Sequence, residues 1–90
     1  MSTNQPFDHE IRLRHLTVEE ALYRLDKYLD SAFMQAIKEV RIIHGKGSGK
    51  LSSAVWQLLE KHPLVISFRF ANRGYGEHGV TVAELEKRHP

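Results

Sequence analysis

The 90-residue sequence predicts an α/β (α+β) fold, a two-layer sandwich with two helices on one face of a mixed four-stranded sheet. Three observations predict it. Apolar residues recur at three- and four-residue intervals over 17–36, behind a threonine that starts a capping-box spacing. A second stripe of the same period, Leu51, Ala54, Val55, Leu58 and Leu59, runs up to a proline at 63. Short β-branched or alternating runs bounded by glycine clusters occupy the intervals between and after these stripes.

In chain order, residues 1–9 (MSTNQPFDH) have the composition of a loose leader without periodicity. EIRLRHL follows, with Ile11 and Leu13 alternating against Arg12 and Arg14, the period of a strand with one buried face. Arg12 and Arg14 are then expected on the face away from the helices. Thr17 and Glu20 have capping-box spacing, and Ala21, Leu22, Leu25, Tyr28, Leu29, Ala32, Phe33 and Ala36 make the stripe of the first helix. VRII (40–43) reads as a buried strand, and the second helix ends near His62. VISFRFA (65–71) reads as a third strand with Ile66, Phe68 and Phe70 on one face. NRGYGEHG (72–79) is a glycine-rich loop and VTVAEL (80–85) a final strand. Two strand–helix units favour parallel strands, and the last two strands a hairpin.

Composition narrows the function. Hydrophobic residues make up 41% and charged residues 27%, with a net charge of +2, ordinary for a globular domain with one small core. No run of eighteen apolar residues and no signal-peptide pattern is present, so no membrane association is expected and the cytoplasm is the simplest compartment. The absence of cysteine excludes disulfides and thiolate zinc sites. Acids concentrate in 17–39, whereas Val40 to Leu59 holds Arg41, Lys46 and Lys50 and no acid, a placement suited to a polyanion.

The stretch VRIIHGKGSGKL (40–51) concentrates the chemistry. A P-loop needs a glycine where His44 stands and a serine or threonine where Leu51 stands, so nucleoside-triphosphate binding is disfavoured. Glycines at 45, 47 and 49 nevertheless let backbone N–H groups approach an anion, and the loop feeds a helix N-terminus. Lys46 and Lys50 add cations, and Ser48, Ser52 and Ser53 offer hydroxyls that serve a ligand or cap the helix equally well. A tight turn carrying no ligand accounts for the same glycines. His44, at the carboxyl end of a strand, is placed for proton transfer, for phosphate binding or for local packing. His15 follows the first strand, Tyr75 is an aromatic in the second glycine loop suited to stacking on a base, and none of the six histidines has metal-ligand spacing with a carboxylate.

Several motifs in order resemble the Smr (small MutS-related) family: the first strand running into LTVEEAL (16–22), EVRIIHGKGSGKL (39–51) with an HGxG motif at His44, Gly45 and Gly47, HPLVISF (62–68) and GVTVAEL (79–85). The resemblance covers residues 10–85, leaving 1–9 as leader and 86–90 as tail. It implies the two-layer sandwich, nucleic acid (DNA or RNA) as partner, a ribosomal partner as an alternative, and endonuclease activity as found in many members; no cofactor is certain, and a divalent metal such as Mg enters only if the chain is a nuclease. On this reading the nucleic-acid contacts are Arg12, Arg14, His15, Gly45, Lys46, Gly47, Ser48, Gly49, Lys50 and Tyr75, with His44 as the candidate proton-transfer group; of these, His44, Gly45, Lys46 and Gly47 match the family's HGxG loop. One departure stands out. The family's first-strand motif has an aspartate and a glycine where this sequence has Arg12 and His15. Glu10, which alternation puts on the same face as Arg12, is the candidate catalytic carboxylate, placed to substitute for that aspartate as a base or metal ligand. The rival reading is an adaptor that binds nucleic acid or a ribosomal partner without cutting it.

Overall fold

A computed structural model describes residues 7–74 and 76–88. Its elements are β1 (Glu10–Arg12), α1 (Val18–Met34), β2 (Glu39–Ile43), α2 (Lys50–Lys61), β3 (Val65–Phe70) and β4 (Val80–Leu85), with a 3-10 turn at Glu77–Gly79 before the last strand. The sheet order is β1-β2-β4-β3. β1 pairs parallel to β2, and β4 lies antiparallel to both β2 and β3. The predicted hairpin is present. Its second strand, however, fills the position beside β2 that α2 passes over, so the last strand in sequence is central in the sheet.

Both helices cover one sheet face. Ala21, Leu25, Leu29 and Ala32 of α1 and Val55 and Leu59 of α2 form one buried cluster with Leu13, Val40, Ile42, Ala83 and Leu85. On the opposite face, Val80, Val82 and Ala71 make a smaller cluster, with Ile43 packed against it. β4 is therefore enclosed from both sides, and of its residues only Glu84 is exposed.

The element ends show where backbone chemistry overrides side-chain period. β1 stops at Arg12, although Leu13 N–H still donates to Ile43 O at 2.8 Å. His15 then adopts φ +71°, and the chain turns into α1. This left-handed backbone is a physical reason for glycine at the family's corresponding position. Thr17 caps α1 as expected, its Oγ1 accepting from Glu20 N–H at 3.1 Å. The carboxylate of Glu20 pairs with Arg24 at 2.9 Å. The helix ends at Met34, two residues short of the periodic stripe. Ala36 takes φ +61°, Ile37 N–H donates to Ala32 O and Ala36 N–H to Phe33 O, the pattern of a Schellman motif with alanine in the glycine position.

β3 departs from strict alternation. A register shift between Val65 and Ser67 makes Ile66 the extra residue of a bulge, so Phe68 and Phe70 face Trp56 while Ile66 is exposed. At the far end of α2, His62 Nε2–H donates to Asp26 on α1 at 3.0 Å, and its Nδ1 accepts from Leu64 N–H. The two helices are thus tied at the end remote from the glycine loop.

Substituting Ala36→Gly removes the left-handed strain of a β-carbon and is expected to stabilise the domain by roughly 0.5–1 kcal/mol. Urea unfolding monitored by circular dichroism measures it. Equal or lower stability would show that the motif carries no strain at this position.

Candidate nucleic-acid interface

The HGxG segment, residues 44–47, leaves the end of β2 and is clasped by the residue before β4. Both His44 N–H (3.1 Å) and Gly45 N–H (2.8 Å) donate to Gly79 O. A β-carbon on Gly79 would meet the Gly45 backbone at 3.6 Å and Lys46 Cγ at 3.5 Å, so the two glycine loops lie in direct contact. The amides of His44 and Gly45 are consequently committed inside the protein. Those from Gly47 onward lie beyond the clasp, where φ is +38° at Gly47 and +88° at Gly49.

His44 is buried and its ring is engaged at both nitrogens. Nδ1 lies 2.9 Å from Gly45 O, a carbonyl that only accepts, so Nδ1 carries the proton. Nε2 then accepts from Thr81 Oγ1 at 2.8 Å, and Thr81 Oγ1 accepts from Trp56 Nε1–H at 2.8 Å. Burial lowers the His44 pKa from its ordinary 6.5, partly offset by the bond to Gly45.

Arg12 and Arg14, expected on one strand face, separate because β1 ends between them. Arg14 lies in the turn and reaches over the loop: a β-carbon on Gly45 would meet its Cγ and Nε at 3.4 Å. Arg12 stays on the open sheet face, where its guanidinium pairs with Glu10 at 3.4 Å. Glu10 also pairs with Arg41 Nε at 3.1 Å. Its carboxylate is thus held between two guanidiniums.

A cleft of about 420 Å³ opens between the loops, lined by Arg14, Ile43, Gly45, Lys46, Gly47, Gly76, Gly79 and Val80. Of the sequence-derived residues, Arg14, Gly45, Lys46 and Gly47 meet here. His15, Ser48, Gly49 and Lys50 are outside its lining, and Tyr75 lies outside the described residues. Gly49 caps α2 without a side-chain bond, Ser48 Oγ accepts from Lys50 N–H at 3.4 Å, and Ser52 Oγ donates back to Gly49 O. The periodic reading missed Ile43, Gly76, Gly79 and Val80. They reach the cleft because β4 pairs with β2, a neighbour that periodicity does not specify.

A larger cavity, about 560 Å³, lies between α1 and α2, with Asp26 and Asp30 in its lining. Those carboxylates are the wrong sign for a polyanion. No carboxylate is among the described residues that line the cleft. Glu10 is taken by two cations, and among the described residues no group of three or more His, Asp or Glu side chains is placed to hold a metal.

The Smr domain family model matches residues 11–86 of the chain. The chain belongs to the Smr family. Endonuclease MutS2 of Clostridium novyi is 51% identical over 76 residues, covering 84% of this chain and 10% of the relative. The chain spans about a tenth of the length of the curated relatives it matches. The crystal structure of the Smr domain of Thermus thermophilus MutS2 aligns with a TM-score of 0.84 at 43% identity, over 86% of this chain and 96% of that one. The stand-alone small MutS-related protein YdaL of Escherichia coli gives 0.83 at 26% identity, over 91% of this chain and 67% of that one. The two-layer sandwich and mixed sheet are those of the Smr domain. No helix among the described residues is long and apolar enough to cross a membrane.

Two predictions test the His44 network. Thr81→Val leaves Trp56 Nε1–H and His44 Nε2 without partners and is expected to cost about 2–3 kcal/mol in urea unfolding; a loss within a few tenths would show that the hydroxyl is dispensable. The lowered folded pKa of His44 also fixes a pH dependence. Its contribution to stability is complete above the unfolded value of 6.5 and is lost as pH falls from there through the lowered folded value. Unfolding free energies at about pH 7.5 and about pH 5.5 should therefore differ less in a His44→Asn variant than in the parent.

Proposed function

We propose that this Smr chain binds the sugar–phosphate backbone of nucleic acid in the cleft between its two glycine loops. The observation that carries this reading is the convergence of Arg14 and Lys46, both exposed, on a cleft otherwise lined by glycines and small apolar groups. A guanidinium presents a planar fork to a phosphate and an ammonium a mobile point charge, while glycines let the backbone approach closely. Lys50, exposed at the start of α2, extends the positive edge. Contacts of this kind hold a backbone without reading its bases.

In this reading His44 has a positioning role. Its ring nitrogens are spent on Thr81 and Gly45, so its effect on a ligand passes through the shape of the loop. Phosphodiester cleavage is the second reading, favoured by the endonucleases among the relatives. It meets a first strand whose carboxylate, Glu10, is neutralised by Arg12 and Arg41. Binding is therefore the function that the geometry supports best, and cleavage would require Glu10 to be released from its partners.

Binding by phosphate contacts falls linearly with salt on a logarithmic plot, by about 0.7–0.9 per phosphate neutralised. Replacing Arg14 and Lys46 together by alanine is expected to reduce the slope by about 1.5 and weaken binding to a labelled oligonucleotide at least tenfold at low salt. An unchanged slope would place the binding surface elsewhere. For cleavage, Arg12→Asp is expected to raise plasmid nicking above that of the parent chain, since it removes one of the two cations on Glu10. No rise at equal binding would remove Arg12 from the account.

A further inference from the structure

Beside the clasp stands an aromatic group that backbone binding does not use. Phe70, at the end of β3, packs edge-on against His78 with ring centroids 4.7 Å apart, and lies tilted by 33° against Trp56 at 4.6 Å. His44 closes the group at 6.3 Å. Three of these rings have structural work: His44 and Trp56 are bonded to Thr81, and Phe70 is half-buried between its neighbours. His78 differs. It is exposed, and no hydrogen bond engages its ring nitrogens among the described residues.

Its place is fixed by the main chain on either side. Gly76 N-terminal to it packs on Val80, and Gly79 C-terminal to it carries the carbonyl that clasps His44 and Gly45. The space a β-carbon on Gly79 would take is bounded by the Lys46 stem at 3.5 Å. An exposed ring is thus presented next to the phosphate-binding loop and backed by Phe70 in an edge-to-face contact that leaves ring surface to solvent. Flat, exposed rings next to cations are what unpaired bases stack on, whereas a base inside a duplex has both faces covered.

We propose that His78, backed by Phe70, is a stacking site for an unpaired nucleobase, so that the substrate of the cleft is single-stranded nucleic acid or a duplex with an extruded base. This deepens the backbone-binding reading and rests on it. The position of His78 makes the two separable: Arg14 and Lys46 set the salt slope, and His78 sets discrimination between strands with and without bases.

The test compares three probes of equal length at one salt concentration: a single-stranded oligonucleotide, the same strand with abasic sites, and its duplex. His78→Ala is expected to weaken binding of the base-bearing single strand about five- to tenfold and to leave the abasic strand and the duplex unchanged. His78→Phe should restore the loss. Trp56, the only tryptophan in the sequence, touches Phe70 and should change its fluorescence on adding the base-bearing strand and not the abasic one. Equal binding of base-bearing and abasic strands by the parent chain would overturn this inference while leaving backbone binding standing. An equal loss on all three probes in His78→Ala, with no rescue by phenylalanine, would also overturn it. Absence of salt-dependent binding to any probe would remove the backbone reading and this one together.

Discussion

The hydroxyl of Thr81 is the point on which the upper part of the molecule depends. It accepts a hydrogen bond from the indole of α2 and donates one to the imidazole at the end of β2, and it is itself carried by β4. One helix and two strands are therefore joined by a chain of hydrogen bonds with a fixed direction. The direction is set at the far end, where the Gly45 carbonyl can only accept and so holds the His44 proton on Nδ1, leaving Nε2 to accept from Thr81. A buried chain with every member satisfied is rigid, and a loop rich in glycine has few other sources of rigidity. The shape of the HGxG turn is set from beneath by this network and from the side by the Gly79 carbonyl.

Much of this arrangement was legible in the residues and some was not. Both helices, the strand order in sequence, the closing hairpin and the Thr17 cap followed from period and capping chemistry, which act over a few residues. The insertion of β4 between β2 and β3 is a long-range pairing, and alternation within VTVAEL says nothing about its neighbours. Ile66 misled because a bulge adds a residue without changing composition. Ala36 continued the apolar stripe but took a left-handed turn more often filled by glycine. At the site, the loop residues were readable as a motif. Their division into amides spent on Gly79 and a cleft shared with Gly76 and Val80 was not, because it arises from contact between loops more than thirty residues apart.

Charge is distributed by element as well as by sequence. Asp26 and Asp30 gather where α1 meets the end of α2, with His62 as their partner. Arg14 and Lys46 gather at the opposite end, where β2 runs out and α2 begins. A small domain with a net charge of only +2 thereby acquires a positive end and an acidic flank. On the open sheet face the Glu10 carboxylate sits between two arginines, so those two guanidiniums are partly balanced.

The central place of β4 has a consequence for how the fold is reached. Residues 80–85 leave the ribosome after every other strand, yet they alone connect the β1–β2 pair with β3. Until they arrive, the nascent chain holds one short parallel pair and one strand with no partner. Thr81 and the Gly79 carbonyl arrive with the same segment, so the loop acquires its shape in the step that closes the sheet. Contacts so distant in sequence are slow to form, and their loss on local opening is concerted. Sheet and HGxG loop should therefore share one cooperative transition, with no intermediate that keeps the cleft while β4 is detached.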